Sequence, residues 1–131
     1  MAEESTIQSN IIDYINALPQ GRAENVSGNA QQSGRADVNA CIAGRTFKIE
    51  VKTEDTEYGR KGATTKQRLY LEKWARAGAF SCVAYSVGDV QFSIDIALGF
   101  SLLVKKQKSY ELSGRGKWYD VQNKRWVDIS Y

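Results

Sequence analysis

The chain contains no histidine. That absence excludes Ser-His-Asp and Cys-His nucleophilic catalysis and also histidine-ligated zinc. Hydrolytic chemistry here has to come from carboxylates, lysines and a hard cation such as Mg2+. Cysteine is nearly as scarce. Cys41 and Cys82 are the two present, they lack the spacing of a zinc site, and both sit in apolar, strand-like runs. They are expected to be buried thiols rather than a disulfide. No apolar run approaches the ~18 residues that span a bilayer, and the opening Met1-Ala2-Glu3-Glu4 is acidic rather than signal-like. The expectation is an intracellular, cytoplasmic protein.

What is present is ordinary for a globular chain: 131 residues, 42% hydrophobic and 25% charged, enough for one domain with one hydrophobic core. The net charge of +3 is unevenly placed. Residues 1–100 carry 11 basic and 12 acidic side chains, and residues 101–131 carry 7 and 3. Trp118 and Trp126 lie in that basic C-terminal segment. Cations with interleaved aromatics suit nucleic acid, because lysines neutralise phosphates and rings stack on bases. A solvated hairpin with core tryptophans would read the same way.

Ile7, Ile11, Ile15 and Leu18 recur at helical spacing, predicting a helix over residues 6–18 that ends at Pro19-Gln20-Gly21. Residues 20–35, rich in Gly, Ser, Asn and Gln, read as a loop. Strands are expected at 37–42 and 45–53 around Ala43-Gly44, then a charged loop over 54–63. A second helix begins at the N-cap candidates Thr64-Thr65 and stops at Gly78. Residues 80–85 read as a buried strand. Residues 90–98 fit either a strand or a short helix, and the alternation favours a strand followed by a helix. A terminal hairpin is expected from 118–121 and 126–129. Helix, hairpin, helix and strand in that order imply an α/β architecture with a mixed sheet flanked by helices.

The central hairpin is the most informative stretch. A two-residue turn at Ala43-Gly44 sets Val38 opposite Ile49 and Ala40 opposite Phe47. One face is then apolar, and the other carries Asp37, Asn39, Cys41, Thr46, Lys48, Glu50 and Lys52. In this register Asp37 lies opposite Glu50, and a one-residue slip would mix the faces. Two carboxylates so placed have Cβ atoms about 5 Å apart and repel. A divalent cation between them turns repulsion into chelation, and Lys52 adds an ammonium that can orient a water or stabilise charge on a phosphate oxygen. A solvated polar face on which Lys52 neutralises Glu50 is the competing explanation.

Gly34-Arg35-Ala36-Asp37-Val38, followed by Phe47-Lys48-Ile49-Glu50-Val51-Lys52-Thr53, resembles the PD-(D/E)XK nuclease superfamily. Within it the match is to the VRR-NUC branch, the virus-type replication-repair nucleases. That branch has Gly-x-Pro-Asp before the first site strand, (I/V)-Glu-Val-Lys on the next, and a helix opening with Gln. Here Gln67 opens the second helix, Gly78–Val87 is similar to the strand that follows, and Glu4 matches an early Glu on the first helix. Ala36 stands where Pro is usual, and residues 91–131 match nothing in the pattern.

The resemblance, over about residues 4–90, implies a restriction-endonuclease-like αβββαβ core with 91–131 as a C-terminal extension carrying an extra hairpin. It implies that Asp37, Glu50, the Val51 carbonyl and Glu4 ligate Mg2+ or Mn2+. Lys52 would act on the attacking water and Gln67 would support the site. An exposed polar residue in a first helical turn is the competing explanation for Gln67, and helix-dipole complementarity explains Glu4 equally. Arg60, Lys61, Lys66 and Arg68 flank the site and are candidates for phosphate contact or plain surface charge. Glu54, Asp55 and Glu57 read as a solvated acidic loop more readily than as extra ligands. Leu71 and Trp74 continue the Gln67 face and are expected in the core. Stand-alone members of the branch are similar to Holliday junction resolvases, which implies DNA as partner and a homodimer, since two symmetric nicks need two active sites. A flap, end or restriction-type nuclease and a non-catalytic nucleic-acid-binding module are the alternatives.

Overall fold

A computed structural model describes residues 3–26, 35–99 and 109–131. The first helix, α1 (Glu4–Asn16), buries Ile7, Ile11 and Ile15 along one stripe, with Leu18 just past its end. At that end the Asn16 side chain bonds both the N–H and the carbonyl of Ala23, at 2.8 and 3.3 Å. It thereby ties the helix to a strand, β1 (Gly21–Asn25), that lies where the sequence reads as a loop. The misreading has a physical cause. β1 is an edge strand in which only Ala23 is buried, so it needs no apolar alternation and carries Arg22 and Glu24 outward. Gly21 is required there, because a Cβ would stand 2.3 Å from the Ile15 carbonyl oxygen. Residues 27–34 of the expected loop lie outside the described residues.

The hairpin of β2 (Val38–Ile42) and β3 (Arg45–Val51) has the expected register, Val38 with Ile49 and Ala40 with Phe47. Ala43 and Gly44 both take positive φ, 51° and 85°, as a two-residue hairpin turn of the favoured twist requires. After the one-turn α2 (Glu57–Arg60), α3 (Thr65–Arg76) opens on a capping box in which Thr64 and Gln67 each bond the other's backbone N–H. It leads to β4 (Phe80–Ala84), buried throughout and parallel to β3.

Residues 90–98 are helical. They belong to α4 (Val87–Leu98), so the expected strand is corrected. Ser86 caps its N-terminus, Gly99 closes it in the left-handed conformation, and Val90 and Ile94 face the core one turn apart. The short apolar run mimics a strand because both structures bury it, and the cap decides. The hairpin β5 (Lys117–Asp120) and β6 (Arg125–Asp128) completes the sheet on the β4 side.

Among the described residues these strands form one mixed six-stranded sheet in sequence order, parallel only between β3 and β4. α1 and α4 cover one face over a core of Ile11, Ile15, Phe47, Ile49, Val51, Cys82 and Ile94. On the other face Leu71 of α3 meets Val83, Tyr85, Ala63 and Ala36. Two expectations fail on this second face. Cys41 is exposed, because it alternates onto the polar face near the open edge. Trp74 is 39% exposed rather than core, and its ring covers the Lys48 ammonium at 3.7 Å. No helix among the described residues is long and apolar enough to cross a membrane.

Candidate active site

The polar face of the hairpin is not solvated where it matters. α3 lies over it, and Lys48, Glu50 and Lys52 are only 4%, 2% and 2% exposed. Charged groups so enclosed need partners or they raise the energy of the fold.

Asp37 sits one residue before β2. Its carbonyl accepts the Val26 N–H at 3.0 Å and lies 3.5 Å from Gln8 Nε2. Its Oδ2 accepts the backbone N–H of Val51 at 2.9 Å. Glu50 Oε2 accepts from Gln67 Nε2 at 3.0 Å and lies 3.7 Å from Lys52 Nζ. Glu50 Oε1 is buried with no hydrogen-bond partner. Lys52 Nζ lies 4.8 Å from the centre of the Tyr58 ring, so an exposed aromatic of α2 roofs the ammonium. Glu4, in the first turn of α1, completes the cluster. Carboxylate oxygens of Glu4, Asp37 and Glu50 all lie within 4.8 Å of one another.

The electrostatics follow from this geometry. Burial, then the Asp37 charge and hydrogen bonding to Asp37, push the Glu50 carboxyl up to about 9, with Glu4 adding and Lys52 opposing. Glu4 is also raised, by desolvation first and by Asp37 second, against Lys52. The cluster thus holds more negative charge than its surroundings stabilise and binds a proton in compensation. A divalent cation would relieve the same repulsion. Three converging carboxylates, one with an orphaned buried oxygen, form a donor set suited to a hard cation.

The structure therefore brings Glu4, Asp37, Glu50, Lys52 and Gln67 together. The Val51 side chain is buried in the core, and its N–H serves Asp37. Glu54, Asp55 and Glu57 stand outside the three-carboxylate cluster, and Glu54 pairs instead with Arg115 at 3.5 Å. Arg60, Lys61 and Arg68 line a cleft of about 480 Å3 together with Arg115, Lys117 and Trp126. Lys66 is exposed in the first turn of α3 and is not part of that lining. Sequence reasoning missed Tyr58 and the pairing of the 60–68 cations with Arg115 and Lys117. An aromatic six residues after a site lysine was the available signal for the first. The second depends on strand order and had none.

No protein-family model matches this chain, and no curated protein matches it in sequence. Among solved structures its fold is similar to that of a "VRR_NUC domain protein", with a TM-score of 0.56 and 21% identity over 79% of this chain and 91% of that one. The α/β fold, a mixed sheet flanked by helices, is thus of the restriction-endonuclease-like kind.

Proposed function

We propose that this chain is a metal-dependent nuclease that hydrolyses phosphodiester bonds in DNA. The observation that carries the reading is the convergence of Glu4, Asp37 and Glu50 within 4.8 Å beside a buried lysine. A hairpin selected for stability alone would rarely enclose such a group. The fold it shares with a VRR_NUC domain protein supports the same reading.

Asp37, Glu50 and Glu4, with the Val51 carbonyl, would hold Mg2+ or Mn2+. When bound, such an ion supplies Lewis-acid chemistry, polarising a phosphoryl oxygen and lowering the pKa of water. The chain's own groups do the rest. Gln67 fixes the Glu50 carboxylate by its Oε2, the Val51 N–H fixes Asp37, and the Lys52 ammonium orients water or stabilises charge developing on a phosphate oxygen. Arg60, Lys61, Lys66 and Arg68 would contact the DNA backbone.

The finer reading is structure-selective cleavage of branched DNA, most naturally a four-way junction, by a homodimer. Symmetric nicking of such a junction calls for two copies. The test is cleavage of labelled four-way junction, flap and plain duplex with and without Mg2+ or Mn2+, beside light scattering of the protein. Paired symmetric nicks by a dimer are expected. Cutting only of flaps or ends, or by a monomer, removes the junction reading. The absence of any metal-dependent cleavage overturns the nuclease.

A further inference from the structure

The cleft lined by Arg60, Lys61, Arg68, Arg115, Lys117 and Trp126 lies beside the carboxylate cluster on the same face of the sheet. The strand register fixes the relationship. Glu50 pairs with Val83, and Val83 pairs with Lys117. The three residues occupy one row across β3, β4 and β5, so the Glu50 and Lys117 backbones stand two strand spacings apart, about 10 Å.

Five cations converge on this concavity against one lining acid, Asp128. Arg60 donates to the Glu54 carbonyl at 2.7 Å. Arg68 donates to the Ala63 carbonyl and the Thr65 hydroxyl at 2.7 and 3.2 Å. These neutral acceptors position the guanidinium groups without cancelling their charge. Arg115 pairs with Glu54 and Lys117 with Asp128, but all four side chains are at least 40% exposed. Exposed pairs of this kind are weak and exchange readily for a better anion. Trp126 closes one wall, its Nε1 donating to Glu72 Oε2 at 2.9 Å, so its ring is held in place. A volume of about 480 Å3 is that of a small-ligand site.

Resting on the hydrolytic reading of the neighbouring cluster, we infer that this cleft is a nucleotide subsite. It grips one phosphodiester of the cut strand, close to the scissile one, through the cations of two separate segments, with the Trp126 ring against the attached nucleoside. The C-terminal hairpin, outside the motif-bearing core, thereby completes the substrate path.

The experiment measures binding of a fluorescein-labelled DNA duplex to the full chain in chelator, by anisotropy, across a salt series. Arg115→Ala and Lys117→Ala are exposed changes outside the carboxylate cluster, and unchanged melting would confirm that both variants fold. Each is expected to weaken binding roughly 3- to 10-fold and to lower the log–log salt slope by about 1. Arg76→Ala, exposed at the far end of α3, should change neither. Wild-type affinity and slope in both cleft variants would overturn the inference, as would an equal loss in Arg76→Ala. Cleavage plays no part in this readout. A chain that binds through the cleft but never cuts would sustain the subsite and refute the hydrolytic reading.

Discussion

The carboxylate of Asp37 accepts a hydrogen bond from the backbone N–H of Val51 at 2.9 Å, so the residue between Glu50 and Lys52 holds the acid across the hairpin. The strand that presents one carboxylate and the lysine thus also orients the other carboxylate.

That relationship separates charge from structure. Asp37→Asn keeps an oxygen able to accept from Val51 and removes the negative charge. The variant should fold, and in chelator at pH of about 9 and above, where wild-type Glu50 ionises beside Asp37, it should melt at or above the wild-type temperature because that repulsion is gone. Metal-dependent cleavage should fall by roughly 10²-fold or more. Near-normal cleavage by Asp37→Asn would remove this residue from the site.

Glu50 makes the metal-free fold sensitive to pH. Its carboxyl titrates near 4.5 when exposed and is pushed up to about 9 in the folded chain. The folded state therefore keeps a proton that the unfolded chain releases. The associated stability is fully present below about 4.5 and is lost as pH rises through about 9. Melting in chelator should fall across this window by several degrees, and Glu50→Gln should flatten the profile. Saturating Mg2+ should also flatten it, since a cation replaces the proton. A wild-type melting temperature independent of pH between 5 and 9 in chelator would contradict the buried, proton-holding Glu50.

Much of this site was legible because a period-two pattern fixes register. Alternation along residues 37–42 and 45–52 placed Asp37, Glu50 and Lys52 on one side, and the structure brings their side chains together. Gln67 was legible as a helix opener. Its bond to Glu50 depends on how α3 lies over the sheet, which local pattern does not encode. β1 was hidden because an edge strand can be polar, and α4 because a short apolar run has no period of its own. Trp74 was misplaced for a related reason. Helical spacing identifies a face but not where along the helix that face leaves the sheet, and Trp74 lies near the end, over Lys48.

Lys52 tests the division of labour inside the cluster. Its Nζ lies 3.7 Å from Glu50 Oε2 and is not a metal ligand. Lys52→Ala should slow cleavage by roughly 10²-fold. It should leave Mn2+ binding, followed by calorimetry, within a few-fold of wild type at alkaline pH. The cation lowers the proton affinity of Glu50, so its loss should move the pH dependence of metal binding upward. Lost metal affinity with an unchanged rate would assign the lysine a different role.

Gln67 serves two masters, and two substitutions tell them apart. Its side-chain oxygen accepts the Thr64 N–H at 2.9 Å while its Nε2 donates to Glu50 at 3.0 Å. Thr64→Ala removes the hydroxyl that accepts the Gln67 N–H and so weakens only the cap. It should cost about 1 kcal/mol of stability, a drop of a few degrees in Tm, with cleavage near wild type. Gln67→Ala should cost a similar amount and also free the Glu50 carboxylate to rotate, lowering kcat by at least about 10-fold. Thermal melts and single-turnover rates on both variants decide the matter. Equal loss of rate in the two would mean that Gln67 acts only through the helix start, and full activity in Gln67→Ala would mean that its bond to Glu50 has no part in catalysis.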